Sequence, residues 1–199
     1  MTLKNLIIDF GERIFLLLLV APFLISFAMY VPTHPQALLL VVSECLAVLF
    51  ILIRKPGAID ARPYPLFIAF VGTAFVLLIR PGGTQLAPEL VASVVMSTGV
   101  LINISAKIAL NRSFGLIAAN RGIKAGGPYR LVRHPMYLGY FVTQVGFLLM
   151  SFSIYNLAIY GIAWVAQVLR IIEEEKFLSE DPEYRLLKER VRWRVLPGF

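Results

Sequence analysis

Six apolar stretches constrain this 199-residue chain more than any other feature. They run roughly 14–31, 37–53, 64–80, 89–110, 136–152 and 154–172. Each approaches the about 20 residues that a helix needs to cross a bilayer. In hydrocarbon every backbone N–H and C=O must be bonded within the segment, so stretches like these are expected to be helices. The composition agrees. The chain is 58% hydrophobic and 16% charged, where soluble domains are about 45–50% apolar and about 25% charged. Its mean hydropathy is +0.77. Six spans with short connections use up the length, so no separate soluble catalytic domain fits. Any activity must be built on helix ends and loops. The first stretch has no small-residue cleavage site after it and reads as a retained helix, not a signal peptide.

The charge balance gives the expected topology. There are 19 Lys and Arg against 12 Asp and Glu, a formal +7. On a soluble protein that excess would suggest nucleic acid. Here 18 of the 19 basic residues fall in alternate connecting segments, while the 32–36 turn and the 151–156 turn carry none. The positive-inside rule then places both termini in the cytoplasm and removes nucleic acid as a partner. The expected fold is an all-α integral membrane protein with about six transmembrane helices. Residues 1–110 form a four-helix part that faces lipid or substrate. Residues 111–199 hold a basic loop, a helical hairpin and a charged tail. The single cysteine, Cys45, excludes an internal disulfide and reads as a small buried hydrophobe. No metal site is expected.

Polar residues concentrate at one place. In the loop 111–135, Gly126, Gly127 and Pro128 fix a turn, and Pro135 suits the first position of the fifth helix. His134 falls at its cap. The helix start offers free N–H groups with Arg130 and Arg133 alongside, a place for an anion. The fifth and sixth spans turn near Ser153. His134 lies 19 residues before it and Ile172 19 after, so His134 should neighbour Glu173, Glu174 and Glu175. Successive helical residues point about 100° apart, so the three glutamates cannot share one target. Arg170 and Glu174 have the spacing of an ion pair. Bland alternatives exist for each: Arg130 and Arg133 on anionic lipid phosphates, the glutamates on a solvated face, Tyr137 and Trp193 as interfacial anchors.

Asn103, Gln144 and Gln167 fall at similar depths in three spans. They either line a cavity leading to the site or bond packed helices to one another. Glu44, inside the second span and by depth toward its outer side, is either a paired structural group or part of a substrate path.

Gly127-Pro128-Tyr129, Arg133-His134-Pro135-Met136-Tyr137, and Arg170 followed by Glu174-Glu175 and Leu178 resemble the isoprenylcysteine carboxyl methyltransferase family, which is related to the membrane phospholipid methyltransferases. The resemblance covers about 105–199 and includes Tyr184 and a closing Arg194-Val195-Leu196-Pro197. Leu187 departs from it, standing where relatives often have a second tyrosine. The resemblance implies methyl transfer from S-adenosylmethionine, with S-adenosylhomocysteine as product, to a lipid or isoprenoid-like acceptor at the cytoplasmic boundary. His134, Tyr137, Glu174 and Glu175 are then the implied cofactor contacts.

The residues suit that cofactor. Its carboxylate matches the helix start with Arg133 or Arg130. Its ammonium or ribose hydroxyls match Glu174 or Glu175. Tyr137 and Trp193 offer aromatic faces to adenine or sulfonium. Gly126 and Gly127 permit close backbone approach, and Tyr129 and Pro135 complete the cofactor set. Glu174, His134 and Arg170 are the catalytic candidates. Two other classes are weighed beside this one: an NADPH-dependent sterol-type membrane reductase, and a non-enzymatic transporter or scaffold.

Overall fold

A computed structural model describes residues 3–31, 37–80, 82–196 and 198. The 32–36 turn and Pro197 of the closing motif lie outside the described residues. Seven α-helices appear among them. These are α1 (Leu3–Tyr30), α2 (Ala37–Ile53), α3 (Pro63–Ala74), α4 (Glu89–Leu110), α5 (Pro135–Met150), α6 (Ile154–Leu178) and α7 (Pro182–Arg190). The six apolar stretches map onto α1–α6, and α7 lies in the charged tail.

The lengths differ from expectation in informative ways. α1 starts eleven residues earlier than the apolar stretch, through a charged turn. Asp9 and Arg13 pair across that turn at 3.0 Å, which keeps the segment helical. The third stretch shortens to the 12 residues of α3, followed by a tighter turn over Phe75–Leu78. At about 1.5 Å per residue, α3 is roughly 18 Å long, short of a full crossing. Two segments, Glu89–Ser113 and Ile154–Leu178, are long and apolar enough to cross a bilayer. Leu90 and Val94 on α4 and Ile154 and Val165 on α6 point outward, as lipid-facing side chains do.

The chain is mostly helical, as expected, with one short two-stranded ribbon besides. β1 (Ala58–Ile59) pairs antiparallel with β2 (Ala119–Asn120), joining the loop after α2 to the loop after α4. Cys45 is not where expected: it faces outward. The inward face of α2 is set by Ser43, Ala47 and Phe50, and Cys45 falls on the other side.

Side-chain size decides which helices touch. α4 and α5 meet backbone to backbone through Gly99, Gly139 and Gly146, and a Cβ on Gly139 would lie 2.7 Å from the Asn103 nitrogen. α5 and α6 are held apart by rings, with Phe141 against Trp164 at 5.1 Å and Phe147 against Tyr160 at 6.0 Å. Their connection is the expected one. Ser153 caps α6, accepting from the Asn156 N–H at 3.0 Å.

Candidate active site

The hairpin brings His134 and the glutamates together as the spacing predicts. Gly127–Arg130 form a single tight turn, His134 caps α5, and Pro135 takes its first position. At the other end of the hairpin Glu175 is buried and surrounded by donors. Arg133 Nε donates to its Oε1 at 2.7 Å and Arg194 Nε to its Oε2 at 2.9 Å. His134 Nε2 lies 3.2 Å from Oε1, and the Tyr184 hydroxyl donates to it at 3.3 Å. Burial first, then the Glu175 charge, pushes the Tyr184 phenol above its ordinary range, so it stays a donor.

The tail closes the same corner with its backbone. Arg133 Nη1 donates to the carbonyls of Val191 and Arg192 at 2.6 and 2.7 Å. The Arg133 and His134 N–H groups donate to the carbonyls of Trp193 and Arg194 at 2.9 and 2.8 Å. The anion held beside the start of α5 is the protein's own Glu175, taken by the side chains of Arg133 and Arg194. Arg133 is buried here and does not reach lipid phosphates; Arg130 is exposed.

The neighbouring carboxylates point elsewhere, as 100° steps require. Glu173 pairs with Lys176 and with Arg62, the latter at 3.1 Å. Glu174 accepts from the Tyr137 hydroxyl at 2.9 Å. Arg170 does not pair with Glu174. It lies over the Tyr137 ring at 5.5 Å and donates to the Leu116 carbonyl, fastening the loop above it.

Glu174 and Tyr137 line a partly open cleft. The loop 115–124 forms its roof, and Tyr129, Arg133, His134, Met136 and Tyr184 contribute to its walls. Burial, then the charge of Glu174, raises the Tyr129 phenol above its ordinary range.

The roof is held from the first half of the chain. Glu12 on α1 accepts from the N–H groups of Leu116 and Ile117 at 2.6 and 3.1 Å. Arg54 at the end of α2 bridges Asp9 at 2.6 Å and Glu12 at 2.8 Å, with no part of its side chain exposed. Arg121 packs beside this cluster and lines the cleft. Gly115 makes room for its guanidinium, which a Cβ there would overlap. Arg121 Nε and Nη2 are buried without a hydrogen-bond partner, as is Glu12 Oε2. Burial, then the nearby Arg54 charge, lowers the Arg121 guanidinium below its ordinary range.

Of the expected cofactor set, Tyr129, Arg133, His134, Tyr137 and Glu174 line the cleft. Gly126, Gly127, Pro135, Glu175 and Trp193 stand outside its lining. The Trp193 ring lies under Arg192 at 4.9 Å. The polar residues at depth bond helices together. Asn103 accepts from Ser43 at 3.2 Å and donates to the Met136 carbonyl at 3.1 Å, and Gln144 accepts from Trp164 at 2.6 Å. Gln167 is buried on α6. Glu44 is a paired group, 3.3 Å from the buried Lys107, which also donates to Ser43. Lys107 lies in the last turn of α4, so Glu44 is the paired structural group of the two alternatives.

Residues 87–181 match a family described as phospholipid methyltransferase. This segment is similar to the phospholipid methyltransferases. The matched segment is just under half of the chain and runs from the start of α4 to the start of α7. Comparison with curated proteins and with solved structures gave no match. The matched segment contains the roof loop, Tyr137 and all three glutamates. It leaves out Glu12 and Arg54, which hold the roof, and Tyr184 and Arg194, which close on Glu175. The similarity points to a methyltransferase, and two helices among the described residues are long and apolar enough to cross a membrane.

Sequence reasoning missed the roles of Glu12, Arg54 and Arg121. A signal was present. Glu12 and Arg54 flank apolar stretches, and charge beside or within a span is costly unless paired.

Proposed function

We propose that the protein is an S-adenosylmethionine-dependent methyltransferase. Its cofactor sits in the cleft between the roof loop and the start of α5, and its acceptor is lipophilic. The observation that carries this reading is the division of labour between adjacent carboxylates: Glu175 is consumed inside the fold, and Glu174, held by Tyr137, is presented to the cleft. The cleft's lining fits the group: a carboxylate for its hydroxyls and ammonium, aromatic walls from Tyr129 and Tyr137, and buried Arg121 nitrogens lacking an acceptor.

When bound, S-adenosylmethionine supplies a methyl carbon activated by a sulfonium leaving group. The chain's contribution is then positioning and exclusion of water. Glu174 accepts hydrogen bonds from the cofactor. Tyr137 orients Glu174, and Arg170 holds both the Tyr137 ring and the roof. His134 is a positioning residue, since its Nε2 faces Glu175. A carboxylate or thiolate acceptor needs no base. An amine acceptor must lose a proton, and Glu174 is the cleft carboxylate placed to take it.

In this reading residues 111–199 supply the cofactor site, and residues 1–110 brace its roof and face lipid or substrate. The chain crosses the membrane about six times, α3 completing its crossing with the turn over Phe75–Leu78, and both termini and the cleft are on the cytoplasmic side. The acceptor, an isoprenoid-like carboxylate, a thiol or a lipid amine, reaches the cleft from the bilayer.

Thermal unfolding of the detergent-purified protein tests the reading. A ligand that binds only the folded state at about 100 times its Kd stabilises by roughly 2.7 kcal/mol. S-adenosylhomocysteine and S-adenosylmethionine are expected to raise the melting temperature, and NADPH to leave it unchanged. Stabilisation by NADPH alone would replace the transferase with a reductase. No response to any of the three would return the chain to the transporter or scaffold class.

A further inference from the structure

A buried ion cluster braces the roof of the cleft, and its charges do not balance. Asp9 and Glu12 face Arg13, Arg54 and Arg121, two carboxylates against three guanidiniums. Asp9 is engaged through both oxygens and Glu12 through Oε1, with Glu12 Oε2 left without a hydrogen-bond partner. Asp9 takes Arg13 and Arg54, and Glu12 takes Arg54 and two N–H groups of the roof. Arg121 makes no ion pair among the described residues, whereas Arg13 and Arg54 do. It is 8% exposed, lines the cleft, and has two nitrogens with no acceptor. Buried polar groups are almost always bonded, and an unsatisfied one calls for a missing partner. A guanidinium fork selects a planar anion that can take two parallel hydrogen bonds, a carboxylate above all.

We propose that Arg121 is the carboxylate anchor of the cleft and takes the α-carboxylate at the methionine end of the cofactor. This rests on the cofactor reading above. It moves the anion-binding role from Arg133, which Glu175 and the tail carbonyls engage, to a residue of the roof. It also couples binding to the brace: the α1–α2 ion cluster sets the position of the roof loop that carries Arg121.

The test compares two ligands on the full-length protein by isothermal titration. They are S-adenosylhomocysteine and its carboxamide analogue, in which an uncharged amide replaces the α-carboxylate. Wild type is expected to bind the acid at least about tenfold more tightly than the amide. Arg121→Gln is expected to remove that preference by weakening the acid while leaving the amide nearly unchanged. Equal wild-type affinities for acid and amide would overturn the anchor, whether or not the variant folds. A variant that weakens both ligands alike would place Arg121 in the brace only, and also overturn it. Wild-type protein that binds neither ligand would overturn the cofactor reading, and the anchor with it.

Discussion

Two charge clusters flank the cleft, and they are built on opposite principles. Behind it, Glu175 collects donors from Arg133, Arg194, His134 and Tyr184, so that one carboxylate ties α5, α6, α7 and the tail. Above it, the Asp9–Glu12–Arg54 cluster ends in an arginine with unsatisfied nitrogens. The first cluster is closed and acts as a structural clamp. The second is open, with nitrogens of Arg54 and Arg121 and one oxygen of Glu12 lacking hydrogen-bond partners. In a protein with little polar material, charge alone does not mark a site. Unused hydrogen-bonding capacity facing a cavity does.

The largest effect is expected where the closed cluster is broken. Glu175→Gln leaves the buried Arg133 guanidinium without its counter-charge, and removing one member of a buried pair costs about 3–5 kcal/mol. A sharply lowered melting temperature in detergent is expected, with no ligand present. A melting temperature within a degree or so of wild type would erase the distinction between the clusters.

Glu174→Gln is the matched experiment one residue away. It keeps a carbonyl for Tyr137 and removes the charge that faces the cleft. Hydrogen bonds to charged groups contribute about 1.5–3 kcal/mol, so S-adenosylhomocysteine affinity is expected to fall by roughly 10–100-fold while the unliganded melting temperature hardly moves. Titration calorimetry with a melt on the same sample reads both. A large loss of stability with unchanged affinity would reverse the roles of the two glutamates.

The smallest effect concerns the edge of the roof. Asp181 caps α7, accepting from the Glu183 N–H at 2.8 Å, and accepts from Asn120 of β2 at 2.6 Å. The Asn120 bond first, then the Glu183 N–H, lowers the Asp181 carboxyl below its ordinary value of 3.8. A depressed carboxylate stabilises the fold above its unfolded-state value, and that contribution is lost as pH falls through the folded value. The melting-temperature difference between wild type and Asp181→Asn is therefore expected to hold above about pH 4 and shrink below it. A difference that grows on acidification would remove Asp181 from the roof's support.

Much of this architecture was legible in the chain. Apolar length marked the helices, since backbone bonding in hydrocarbon permits little else. Proline, glycine and serine positions marked the tight turn at Gly127–Arg130, the start of α5 and the cap at Ser153. Counting outward from that cap placed His134 beside Glu175, because an antiparallel hairpin fixes its own register. What the chain did not reveal was which glutamate would be consumed. Adjacent helical residues differ by about 100° in direction, and only packing against α5, α7 and the tail decides which direction is inward. Nor did it reveal the brace. Glu12, Arg54 and the roof at Leu116 and Ile117 are far apart in sequence, and no periodicity links them. Local spacing determined where charge would gather at the end of the hairpin. Long-range pairing in the folded chain decided which of those charges were neutralised and which were left facing the cleft.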